Sequence, residues 1–61
     1  MIRHKPSEKL PERWQRVVIK TEFGWHEAIW NERTGLFQDD GANQLVAPEE
    51  IEWWADPMEE G

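Results

Sequence analysis

The sequence predicts an all-β fold: a strongly bent antiparallel sheet of three to five short strands with one short helical turn near residues 48–50. Three observations lead there. Between Trp14 and Asp56, short runs rich in β-branched and aromatic residues alternate with Gly, Asn, Asp and Pro positions, the texture of strands joined by tight links. Two of those links carry explicit turn chemistry, Thr21-Glu22-Phe23-Gly24 and Asn31-Glu32-Arg33-Thr34-Gly35. The one segment with a helical alternative, Pro48 to Ala55, contains tandem Trp and is bounded by prolines, which disfavours a long helix.

The elements follow in order. Residues 1–9 read as an irregular basic arm, which becomes ordered near Leu10, whose side chain is placed to cover a core edge. The run Trp14 to Thr21 is a strand centred on Val17-Val18-Ile19, and Gly24 to Asn31 is its hairpin partner, with Gly24 free to take a positive φ. In the next link Asn31 is suited to close an Asx turn and Gly35 to sit left-handed where a short strand, Leu36-Phe37-Gln38, begins. A loop over 39–43 and an extended piece over 44–47 come next, then a turn of helix at Pro48-Glu49-Glu50, where Pro fits the first position and acids face exposed N–H groups. Ile51 to Asp56 is the closing strand, ended by Pro57, and 58–61 is a fraying acidic tail. The single domain therefore spans 10–57, and a helical turn before the last strand suggests a partial SH3-like barrel.

A chain of 61 residues buries only about 60% of its unfolded surface, and without Cys it has no disulfide to compensate. Its resource is aromatic: five Trp (14, 25, 30, 53 and 54) and two Phe (23 and 37), read first as framework. The charge is divided. Residues 1–20 carry six basic side chains against two acids, net +4, and residues 21–61 carry one against eleven, net −10. Such a surface repels duplex DNA and anionic membranes, so neither direct nucleic-acid binding nor membrane association is expected. No apolar run marks a leader or a membrane span, and a cytoplasmic setting is expected.

Catalytic and metal chemistry find no pattern. His4 and His26 are the only imidazoles and have no partner at ligand spacing. The loop Asp39-Asp40-Gly41-Ala42-Asn43 lacks the alternating oxygen ligands and distant Glu of a calcium loop. Carboxylate pairs such as Glu27 with Asp39, or Glu50 with Glu52, arise by chance among 13 acids. No enzyme activity and no cofactor are expected.

Several of these residues carry a resemblance. Leu10-Pro11-Glu12, Val17-Val18-Ile19-Lys20-Thr21, the Trp-bearing second strand, Gly35-Leu36-Phe37 and Ile51-Glu52-Trp53-Trp54 resemble the family catalogued as domain of unknown function 551. The likeness spans about residues 10–57. It implies a small β domain of phage, prophage or bacterial proteins and implies no activity.

The tryptophans carry the functional expectation. Neighbours on a strand point to opposite faces, so Trp53 and Trp54 divide between faces, as do Trp25 and Trp30. Alternation alone buries Trp53 with Ile51 and Ala55 and leaves Trp54 among acids, whereas the resemblance aligns its single Trp with Trp54. Off-core Trp are clamped by the arm, or flank a second small core, or form an exposed patch. The role expected is non-enzymatic protein interaction through Trp30 and Trp54, rimmed by Glu49, Glu50, Glu52 and Asp56, with a basic protein partner, in a monomer or weak homodimer. The rival is an acidic decoy that imitates nucleic-acid phosphates and fills a basic groove.

Overall fold

The computed structural model describes residues 1–39 and 44–59. At its centre is the hairpin of β2 (Arg16–Thr21) and β3 (Gly24–Asn31), in continuous register from Arg16 opposite Ile29 to Thr21 opposite Gly24. The turn is built as its residues require: Thr21 Oγ1 accepts from the Phe23 N–H at 3.1 Å, and Gly24 takes φ +117°. A Cβ at Gly24 would meet nothing within 4 Å, so Gly24→Ala isolates the backbone cost. It is expected to destabilise by about 1–2 kcal/mol, measured as a lowered urea midpoint with an unchanged slope.

The second link is an Asx turn. Asn31 Oδ1 accepts from Arg33 N–H and Thr34 N–H, at 3.0 and 3.3 Å, and Gly35 takes φ +71° while its N–H bonds Asn31 O at 2.8 Å. β4 (Leu36–Asp39) returns along β3, and β5 (Leu45–Val46) pairs with β4. A strap then crosses the open end of the bent sheet: Ala47, a 3₁₀ turn at Pro48–Glu50 with Pro at its start, and Ile51. β6 (Trp53–Ala55) comes back antiparallel to β2. Finally β1 (Arg3–His4) adds to the far side of β6, which gives one open sheet in the order β1-β6-β2-β3-β4-β5. The fold is all-β, and its first long strand, β2, lies beside its last, with the 3₁₀ turn just before that last strand. The all-β antiparallel class is as expected, but the sheet has six strands where three to five were expected, because the arm adds β1.

The inner face is the core. Its rows are Trp54-Ile19-His26, Val17-Ala28-Asp39 and Trp30-Phe37-Val46, each made of residues paired across strands. Val17, Ile19, Ala28, Trp30, Phe37 and Trp54 are buried, and Ile51 on the strap closes over them.

Several expectations are corrected. The first hairpin strand starts at Arg16 rather than Trp14, because Trp14 takes φ +60°, outside strand geometry, with its N–H bonded to Trp30 O at 3.0 Å. The arm is not wholly irregular, since Arg3–His4 is a strand, and it is Pro11 that is buried while Leu10 is exposed. The closing strand begins at Trp53, not Ile51. Glu52 forms a bend whose N–H bonds Lys20 O at 2.8 Å. That bend breaks the alternation, so Ile51 and Trp54 both point inward and Trp53 points outward. The tail is tied at Glu59, whose Oε1 lies 2.8 Å from His4 Nε2. The loop over 39–43 lies outside the described residues except for Asp39, which ends β4, and residues 60 and 61 of the tail lie outside them as well.

Candidate functional site

Trp30 and Trp54 are 4% and 2% exposed, so neither offers an indole face to a partner, and the expected patch built on them is corrected. Both lie on the inner parity of their strands. Trp54 is fixed further by its Nε1–H, which donates to Lys9 O at 2.8 Å, and by the His4 ring 4.5 Å away. Asp56 also stands apart: its carboxylate accepts from Gln15 Nε2 at 2.7 Å and from Met58 N–H at 2.8 Å.

The outer face carries the other half of each Trp pair. Trp53, Lys20 and Trp25 form one row across β6, β2 and β3, and the two indoles meet edge to face at 5.1 Å. Arg3, from the arm, lays its guanidinium 4.7 Å from the centre of the Trp53 ring. These contacts make a second small cluster on the outer face, with the arm clamping Trp53; Trp25 remains 54% exposed.

The remaining predicted residues converge elsewhere. Where the strap crosses the open end of the sheet, a groove of about 680 Å³ opens between it and the β2–β3 turn. Glu49, Glu50 and Glu52 line the strap side, and Glu22 and Phe23 line the turn side. Phe23 is 84% exposed at this lip, held there by the Thr21–Gly24 turn. Leu45, Val46 and Ile51 supply apolar wall, His26 and Asp39 add to the lining from β3 and β4, and Thr21 and Gln44 also border it. Thus three of the six predicted residues gather at one groove, and Trp30, Trp54 and Asp56 do not join them.

The electrostatics of this groove are one-sided. Among the described residues, five carboxylates line it and no Lys or Arg does. Lys20 lies nearby on the outer face, its Nζ 3.5 Å from Glu52 Oε2. Asp39 is only 9% exposed, with Oδ2 3.5 Å from His26 Nδ1. Sequence reasoning missed Glu22, Phe23, His26 and Asp39 as groove residues. For Asp39 a signal existed: two positions after Phe37, it shares the inward parity of a core residue. Phe23 left no comparable mark, because a turn has no parity. Among the described residues no group of three or more acidic or His side chains is placed to hold a metal ion, and no helix is long and apolar enough to cross a membrane.

No family model, curated protein or solved structure matches the chain.

Proposed function

We propose that this is a non-enzymatic protein-interaction domain whose partner presents a basic segment to the groove at the open end of the sheet. The observation that carries the reading is the convergence of Glu22, Glu49, Glu50 and Glu52 with the exposed Phe23 on the lips of one concavity. Carboxylates at the rim steer a cationic partner and set its approach rate, while an aromatic anchor supplies contact energy. The concavity favours this reading over the decoy. A surface that imitates phosphates must protrude into a basic groove, whereas these acids flank a depression that receives a protruding segment. We further infer, from its resemblance to domain of unknown function 551, that the domain is of phage, mobile-element or bacterial origin.

A fluorescein-labelled peptide of alternating arginine and glycine, followed by anisotropy, tests the proposal. Near physiological salt, where the Debye length is about 8 Å, reversing Glu49, Glu50 and Glu52 together to Lys is expected to weaken binding at least about tenfold, or about 1.4 kcal/mol. Phe23→Ala is expected to weaken it about five- to tenfold at unchanged salt dependence. Equal affinity in wild type and the triple reversal would refute the groove as the contact surface.

A further inference from the structure

We infer that the partner's segment is bipolar: its basic stretch lies in the acidic groove, and an acidic stretch continues past the strap onto a basic depression of the N-terminal arm. The inference rests on the interaction reading above and specifies the rest of what the partner presents. Three depressions follow one another through shared residues. The groove shares Glu49, Ile51 and Glu52 with a second depression between strap and arm, which Pro6 and Pro48 also line. Lys5 belongs to that second depression and to a third, where Arg3 and Lys9 join it. Among the described residues, the lining passes from five carboxylates without Lys or Arg to three cations against one acid, Glu8. His4, held by Glu59, borders the basic end as well.

Both poles are open to a partner. Glu22, Glu49, Glu50 and Glu52 are exposed at one end, and Arg3, Lys5 and Lys9 at the other. Lys5 and Lys9 enter the described hydrogen bonds through backbone atoms alone, and neither is in an ion pair. A uniformly basic segment meets repulsion at the arm, and a uniformly acidic one meets it at the groove. A bipolar segment is attracted at both ends in one orientation and repelled at both in the other, so the same charges fix its direction. Near physiological salt the Debye length is about 8 Å, so each charge acts chiefly on the part of the segment that passes it. Pro6, Pro48 and Ile51 give the middle of the path an apolar lining, which fits an uncharged apolar stretch between the two ends. The longest dimension of the backbone is 29 Å. An extended segment of roughly nine residues, at about 3.3 Å each, spans it.

The test uses a labelled peptide of roughly nine residues, with arginines at one end, valines in the middle and aspartates at the other. Its control carries asparagines in place of the aspartates. Both are made in either chain order, and the tighter binder of each pair is compared by anisotropy near physiological salt. Wild type is expected to bind the bipolar peptide about fivefold or more tightly than the control. Lys5→Gln combined with Lys9→Gln is expected to abolish that advantage while leaving affinity for the control within about twofold. Arg3 is left unchanged because its guanidinium packs on Trp53. Should the double variant fail to fold, the two peptides on wild type decide the matter alone. A bipolar peptide that binds no more tightly than the control, or an advantage that survives in the folded double variant, overturns this inference while leaving the interaction reading intact. Absence of binding by both peptides overturns both.

Discussion

Trp54→Ala is expected to leave the domain largely unfolded at room temperature. The indole is 2% exposed, lies opposite Ile19 in the register and stacks against His4. Truncating a buried Trp costs about 3–5 kcal/mol. The change also removes the Nε1–H bond to Lys9 O, worth about 1 kcal/mol when made. A chain of 61 residues has a total stability of about 3–9 kcal/mol at typical per-residue values, so the loss consumes much or all of it. Far-UV circular dichroism and urea titration give the readout, and Trp53→Ala is the matched comparison. Trp53 lies on the outer face with Arg3 and Trp25 as its ring contacts, and its loss is expected to cost clearly less. A larger penalty at Trp53 than at Trp54 would reverse the assignment of faces.

The second large effect is expected at Phe37, with Phe37→Ala costing about 3–5 kcal/mol. This ring is fully buried, packs 4.8 Å from Trp30 and is paired across strands with Trp30 on one side and Val46 on the other. β5 has only two registered pairs with β4, and one of them is Phe37 with Val46. Hydrogen exchange should therefore show the amides of β5 losing protection before those of the β2–β3 hairpin, because β5 is an edge strand paired only with β4. Trp30 fluorescence should shift to the red as water reaches the vacated space. Because Leu45 and Val46 form one wall of the groove, the same substitution should also weaken peptide binding under conditions in which the domain is still folded.

The contrast between these sites and the groove shows which features were legible beforehand. The hairpin bounds at Gly24 and Asn31, the Asx turn and the left-handed Gly35 could all be read from residue types, because each depends on a few neighbouring atoms. The same holds for Pro48 opening the 3₁₀ turn. The grouping of Glu49, Glu50 and Glu52 was legible for a similar reason: they are close in sequence as well as in space. Alternation over 51–56 places Asp56 in one row with Glu52 and Trp54, but the bend at Glu52 breaks that row and Asp56 meets Gln15 instead. Phe23 and Glu22 stand about thirty positions from the strap, and only the folding of the hairpin beneath it brings them to the opposite lip.

By itself, then, the sequence determined the β character, the turns and the separation of neighbouring tryptophans onto different faces, since these follow from backbone preference and side-chain alternation within a few residues. The tertiary structure alone decided which tryptophan of each pair is buried and which acids face one another. At Glu52 a bend tied to Lys20 O resets the alternation and turns Trp54 inward, and cross-strand register sets Asp39 in the core rows and His26 at its carboxylate. Burial and convergence are properties of pairs of segments, and a one-residue change in where a strand begins exchanges the faces of every side chain that follows.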